Sequence, residues 1–168
     1  MARNFMCTKT DPVVETKAGK LRGFQLDGTY VFHGVKYADA KRFHQPTPVE
    51  PWEGIKNALA YGYVCPMLQQ DQPSNELMVP HRYWPLDENC QYLNIWTQHL
   101  DPNAKKPVLV WLHGGGFAAG SSIEHIAYEG ENMSKYGDVV VISLNHRLNI
   151  LGYLDLSPFG EEYKLSLI

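Results

Sequence analysis

The chain has 168 residues, of which 44% are hydrophobic and 20% charged, and a formal net charge of −3. That is enough apolar content to build a core and too little net charge for a disordered chain. No basic run or stripe is present, which excludes nucleic acid and an acidic membrane surface as main partners. The longest apolar runs, residues 108–112 and 139–143, are strand-sized, far short of the roughly 20 residues of a spanning helix. Residues 1–20 hold Arg3, Lys9, Lys17 and Lys20 but no apolar stretch of signal-peptide type, which points to a cytoplasmic protein and leaves secretion open. The three cysteines, Cys7, Cys65 and Cys90, are an odd, low count that favours reduced thiols.

Residues 13–15, 20–26 and 29–35 read as three short strands. Ala18-Gly19 and Asp27-Gly28 lie between them, and Asp-Gly is a strong two-residue hairpin signal. A small antiparallel meander is expected over residues 13–35. Residues 41–89 form a loop region: Pro46, Pro48, Pro51, Pro66, Pro73, Pro80 and Pro85 exclude long helices and central strands. From residue 90 the pattern changes. Residues 91–98 alternate as a strand, Asp101-Pro102-Asn103 turns the chain, and residues 107–112 form a nearly all-apolar strand, expected to be covered on both sheet faces. A glycine-rich loop, a helix around residues 123–136 and a second buried strand at 139–144 follow. That second strand is apolar on both faces and would leave an unpaired apolar edge if its neighbours were missing. Strand, loop, helix and strand is the rhythm of a βαβ unit. The fold class is α/β: a meander leading into a mostly parallel central sheet that starts within residues 90–160 and is incomplete.

The most informative stretch is Trp111-Leu112-His113-Gly114-Gly115-Gly116-Phe117. Three consecutive glycines cost backbone entropy, so the run implies unusual backbone angles or a close approach to the backbone. A reaction that develops an oxyanion needs N–H donors aimed at that oxygen, and a glycine loop at the C-terminal end of a strand supplies them. Phosphate binding is the competing use of such glycines. Gly114–Gly120 has neither the Lys-Ser/Thr of a P-loop nor the glycine spacing of a dinucleotide site.

His113-Gly114-Gly115-Gly116-Phe117 resembles the oxyanion loop of α/β-hydrolase esterases and lipases. Glu88-Asn89-Cys90-Gln91-Tyr92-Leu93-Asn94-Ile95-Trp96 is similar to the type-B carboxylesterase and cholinesterase signature, Glu-Asp-Cys-Leu-Tyr-Leu-Asn, with Asn89 and Gln91 departing from it. Gly34-Val35-Lys36-Tyr37-Ala38, Arg42-Phe43 with Pro46, Pro51-Trp52 and Asn145-His146-Arg147-Leu148 resemble further pieces of that family, in the family's order. The resemblance runs from about Val13 to Gly160. It implies the N-terminal portion of an α/β-hydrolase domain, with residues 1–168 as a fragment of one domain. It also implies a serine carboxylesterase that hydrolyses a small-molecule carboxylic ester with no metal and no organic cofactor. The triad order Ser, Asp/Glu, His lies downstream of the oxyanion loop, and no Gly-x-Ser-x-Gly occurs here, so no triad residue is assigned and the chain alone is expected to be inactive.

The resemblance makes Gly115 and Gly116 the oxyanion donors, supported by His113, Gly114 and Phe117. His113 precedes the loop and so is read as structural, not as the catalytic base. Ser121 and Ser122 lie outside any nucleophile elbow and are read as helix caps. Arg42 and Glu88 would form a structural ion pair that ties down the long loop, and Arg147 would be buried behind the site. Cys65 and Cys90 match the family's loop-closing disulfide, with two reduced thiols as the competing state. Trp84 is read as loop packing or a pocket wall. Two rivals remain at this stage: a non-catalytic cholinesterase-like binding or adhesion protein, and an esterase of the hormone-sensitive-lipase type. The oligomeric state is open.

Overall fold

A computed structural model describes residues 3–67 and 81–163. Pro73, Pro80 and the apolar tail at residues 164–168 lie outside the described residues. In chain order the strands are β1 (Phe5–Met6), β2 (Val13–Glu15), β3 (Lys20–Arg22), β4 (Phe24–Leu26), β5 (Thr29–Lys36), β6 (Ala38–Asp39), β7 (Thr47–Pro48), β8 (Ile55–Asn57), β9 (Tyr92–Thr97), β10 (Val108–Leu112) and β11 (Val140–Leu144). The α-helices are α1 (Glu131–Gly137) and α2 (Asn149–Tyr153). Among the described residues, no helix is long and apolar enough to cross a membrane.

The Asp27-Gly28 hairpin forms as its sequence dictates. Both turn residues have positive φ, 48° and 87°, as a two-residue turn of this hand requires, and Leu26 pairs with Thr29. The expected three-strand meander does not form as one sheet. Residues 20–26 break at Gly23, where a Cβ would lie 2.3 Å from the carbonyl oxygen of Val31. The first half, β3, pairs with β2 and β8 in a three-stranded sheet. The second half, β4, enters a six-stranded sheet with order β1-β4-β5-β9-β11-β10.

The parallel character expected of that sheet is limited to one pair. β10 and β11 run parallel in register Val108↔Val140 to Leu112↔Leu144, joined by the crossover that contains α1. Every other neighbouring pair in this sheet is antiparallel. The expected helix at 123–136 is also shorter. A 3-10 turn at Ile126–Tyr128 precedes α1, which begins at Glu131. The physical reason is competition for backbone groups: His125 bridges to His81, and Arg82 N–H donates to the Glu124 carbonyl at 2.8 Å. Those peptides serve the neighbouring loop and are extended rather than helical.

Burial also differs from expectation. β11 lies inside the sheet with β9 and β10 on either side, so it is not the unpaired edge. The edge is β10, whose residues are all exposed, from 36% for Leu109 to 61% for Leu112. Among the described residues its faces are covered only in part: the Trp111 ring meets Tyr128 at 5.3 Å between centroids, and Val110 and Leu112 line an open cleft. The core lies elsewhere: Phe24, Val31, Trp96 and Val141 form one cluster, Leu21, Phe32 and Ala58 a second, and Cys65, Cys90 and Leu148 a third. The third cluster packs directly behind the glycine loop's neighbour segment and ties the long loop to the end of β11.

His33 of β5 stacks on Tyr61 with ring centroids 4.2 Å apart and meets Trp96 edge-on. Its Nε2 is buried without a partner among the described residues, and burial holds the imidazole down at about 4. Between that value and the ordinary imidazole value near 6.5, the unfolded chain binds more protons than the folded one. Stability is therefore full above this window and is lost as pH falls through it.

Two outcomes follow from the fold. Val110→Lys, at an exposed edge position, should reduce concentration-dependent self-association in size exclusion without lowering the unfolding midpoint; unchanged association would place the sticky surface elsewhere. His33→Phe should flatten the loss of urea stability between about pH 6.5 and about pH 4 followed by circular dichroism, and an unaltered slope would show that other groups drive it.

Candidate active site

The loop from His113 to Gly120 leaves the C-terminal end of β10 and turns back on itself. Gly115 has φ +119°, Gly116 +61° and Phe117 +63°, a run of left-handed backbone that side chains resist. At Gly115 space is lacking as well: a Cβ would sit 2.0 Å from the carbonyl oxygen of Ala119. Gly116 and Gly114 face open space. The glycines are thus demanded by shape at Gly115 and by backbone angle at Gly116.

Three carbonyls of the loop are held. The His113 Nδ1–H donates to the Gly114 carbonyl at 2.8 Å. The N–H groups of Ala118 and Ala119 both donate to the Gly115 carbonyl at 3.1 Å. The Asn149 N–H donates to the Phe117 carbonyl at 2.7 Å. A peptide is planar and trans, so its C=O and N–H point in opposite directions. Fixing the Gly114 carbonyl fixes the Gly115 N–H, and fixing the Gly115 carbonyl fixes the Gly116 N–H. Among the described residues neither N–H has a hydrogen-bond acceptor. Two oriented, unengaged donors remain, side by side in the chain.

The donors border two cavities. A cleft of about 530 Å³ is lined by Val110, Leu112, Gly114, Gly116, Phe117 and Leu148, with His113, His146 and Tyr153 completing its wall. A second, of about 300 Å³, lies across the loop and includes Gly115, Ser121, Glu124, Tyr83 and Trp84. The glycine loop therefore follows a strand directly and opens onto concave surface on both sides. His113 is buried in its seat, and burial, with His146 adding to it, pushes its imidazole below the ordinary range.

The other residues singled out from sequence fall as follows. Trp84 walls the smaller cavity and is also loop packing: its indole N–H donates to the Tyr61 carbonyl at 3.1 Å and its ring meets Tyr61 edge-on. Arg42 Nε donates to Glu88 Oε2 at 2.7 Å and a second guanidinium N–H reaches Oε1. The pair is two-pronged but exposed, 64% at Arg42, where solvent weakens it. Cys65 and Cys90 pack in one cluster with Leu148 and are unbonded to each other in this structure. The hydrogen bond between them lowers Cys65 and raises Cys90, and burial adds to the rise. Arg147 lies beneath the turn after β11 and donates to the His44 carbonyl at 2.7 Å.

Ser121 and Ser122 cap no helix, because none starts there. Ser122 is buried and its hydroxyl accepts from Asn94 Nδ2 at 3.2 Å, while its N–H donates to Asn145 Oδ1 at 2.8 Å. Sequence reasoning passes over Asn149 and His146, which anchor the loop from the next segment. For Asn149 the sequence signal is position, just after the strand parallel to β10; His146 stands inside the family-like segment 145–148, which gives it no role by itself.

The carboxylesterase family pattern matches residues 10–161. The chain belongs to the carboxylesterase family. It is 37% identical to para-nitrobenzyl esterase of Bacillus subtilis over 163 residues, covering 94% of this chain and 32% of that relative. It is 41% identical to phenmedipham hydrolase of Pseudarthrobacter oxydans, covering 91% and 31%. A solved esterase from anaerobic Clostridium hathewayi, described as able to hydrolyse aliphatic aromatic polyesters, superposes with a TM-score of 0.91 at 66% identity, covering 96% of this chain and 32% of that one. Its structural neighbours are esterases of the α/β-hydrolase fold. The chain spans about a third of the length of these carboxylesterase relatives.

The loop geometry orders three substitutions. Gly115→Ala should cost most in stability, because it meets both a clash and a left-handed backbone. Gly116→Ala should cost roughly 1–2 kcal/mol for the backbone alone, and Gly114→Ala should be close to neutral. Thermal unfolding of the three variants checks the order, and equal shifts would contradict it.

Proposed function

We propose that this chain is the oxyanion-loop region of a serine carboxylesterase, corresponding to the N-terminal part of an α/β-hydrolase domain. The observation that carries the reading is the pair of unengaged N–H donors on Gly115 and Gly116, each aimed by a held carbonyl, with Gly116 lining the apolar cleft and Gly115 the smaller cavity across the loop. In the reaction a serine hydroxyl attacks the ester carbonyl as a base takes its proton. The carbonyl oxygen gains negative charge, and the two amides receive it. The alcohol leaves with a proton, an acyl-enzyme remains, and water releases the acid by the same steps. Removing one oxyanion donor from such a site typically costs about 2.7–4 kcal/mol of transition-state stabilisation.

His113 serves here as a support and not as the base: its Nδ1–H holds the Gly114 carbonyl, and the base of such a triad follows the serine in chain order. Ser121 and Ser122 do not serve as nucleophiles, since both are buried in the loop's base. The serine belongs to a Gly-x-Ser-x-Gly elbow, which the 168 residues do not contain. Support comes also from the relatives, whose names are those of esterases and hydrolases. A pure binding or adhesion role would leave two oriented and unengaged donors without use. The substrate class is a small-molecule carboxylic ester, and the reading calls for no metal and no organic cofactor.

Hydrolysis of a short-chain p-nitrophenyl ester by the 168-residue chain should not exceed the buffer rate. A polypeptide that continues through a Gly-x-Ser-x-Gly elbow should turn the ester over and lose activity on Gly115→Ala. Robust turnover by the 168 residues, abolished by Ser121→Ala or Ser122→Ala, would overturn the assignment.

A further inference from the structure

The imidazoles of His113 and His146 lie face to face, ring centroids 4.7 Å apart and planes within 10°. The two residues come from different segments, the end of β10 and the turn after β11. His146 has a fixed seat. Its Nδ1–H donates to the Arg147 carbonyl at 2.9 Å. The residue before it, Asn145, is held on four sides: its N–H by the Tyr92 carbonyl, its carbonyl by the Tyr37 hydroxyl, its Oδ1 by Ser122 N–H and its Nδ2 by the Tyr63 carbonyl. A ring seated this firmly is a platform, and the surface it offers is the one on which His113 rests.

We propose that His146 is a positioning residue for the oxyanion loop: its ring holds His113 in the plane that fixes the Gly114 carbonyl and so aims the Gly115 N–H, and charging His113 releases that aim. The chain of contacts is short. His146 supports His113 by stacking, His113 Nδ1–H holds the Gly114 carbonyl at 2.8 Å, and the Gly115 N–H shares that peptide plane. Gly120 closes the other side of the seat, since a Cβ there would come 2.8 Å from His113 Nδ1. The ring thus has one supported position and little room for another.

The stack also sets a dependence on pH. With both Nδ1–H groups donating to carbonyls, the neutral rings carry their free lone pairs on Nε2. A proton taken up there puts positive charge against a neighbouring imidazole in a mostly apolar cleft. The other groups facing the pair are Tyr153 of α2, across the cleft, and Arg147, whose guanidinium is turned to the His44 carbonyl. No carboxylate lines this cleft among the described residues. The Gly114 carbonyl favours a charged His113 ring, but burial, the larger effect, and the His146 ring disfavour it, so the charged ring gains by moving toward water, and the Gly114 carbonyl then loses its donor. The burial that lowers His113 acts in the same sense and keeps the ordered state in place at neutral pH.

The use of the held N–H as an oxyanion donor rests on the proposed esterase reading, but the positioning itself does not. Hydrogen–deuterium exchange on the chain at low micromolar concentration separates the two. The amides of Ala118 and Ala119, which donate to the Gly115 carbonyl, report on the loop. After correction for intrinsic exchange, their protection should fall, on the order of tenfold, from about pH 8 to about pH 5.5, the range in which an imidazole changes charge. His146→Tyr keeps an aromatic platform and should retain the protection at about pH 8. His146→Ala should lose protection at both pH values, with the amides of β11 as the control for global unfolding. If His146→Ala unfolds the whole chain, the His146→Tyr comparison still decides. Loss of protection in His146→Tyr at about pH 8, or no step in the parent chain, would overturn the proposal. A step that behaves as described, in a longer polypeptide without esterase activity, would sink the functional reading and leave the positioning intact.

Discussion

A planar peptide whose carbonyl is held has its N–H aimed as a consequence, and the region around residues 113–120 depends on that rule. The loop spends its carbonyls on the protein and keeps two N–H groups free. The Gly114 carbonyl goes to the His113 ring, the Gly115 carbonyl to Ala118 and Ala119, and the Phe117 carbonyl to Asn149. Each of these bonds is modest on its own, about 1 kcal/mol net. Together they fix three consecutive left-handed residues that would otherwise sample many conformations. Unengaged buried donors are usually costly; here they border a cleft, where an incoming oxygen can meet them.

The anchors lead back to the sheet. His113 follows β10 and His146 lies two residues past β11, so the parallel pairing of these strands brings the two segments side by side, and their rings stack. Asn94, in the middle of β9, donates to the hydroxyls of Ser122 and Ser143. Its Oδ1 accepts from the Gly34 N–H at the bulge of β5. A buried polar chain thus crosses three strands and reaches the base of the loop. Such a network is high in cost if broken and specific if complete. It accounts for Ser122 better than capping or catalysis does.

Much of this is legible in the sequence where a residue type leaves the backbone few options. Three glycines between an apolar strand and Phe117 announce an irregular loop, and Asp27-Gly28 announces its turn. Cys65 and Cys90 announce proximity, although they are unbonded to each other in this structure. What escapes are features set by partners distant in sequence. The break at Gly23 depends on the carbonyl of Val31 lying against it. The short α1 depends on residues 81–82 claiming the backbone of 124–125. An apolar run such as residues 108–112 looks the same in the interior of a sheet and at its edge, because periodicity records apolar faces and not neighbours. His146 lies in the family-like segment 145–148, but nothing in the sequence says which ring it stacks on.

The edge position of β10 and the oxyanion geometry are one fact seen from two sides. The loop leaves the C-terminal end of the strand that has no partner on its outer side. The cleft lined by Val110 and Leu112 lies along that strand and ends at Gly114 and Gly116. Any strand paired in parallel to the open edge would run in the same direction as β10. Its own C-terminal end would emerge beside the two free N–H groups, about 4.8 Å of inter-strand spacing away from β10. A residue at the turn that follows such a strand would therefore come within reach of an oxygen held by Gly115 and Gly116. Ligands of open α/β sheets gather at the carboxyl ends of strands for this same reason. The exposed apolar residues of β10 and the unengaged donors at its tip thus lie where one parallel neighbour would meet both.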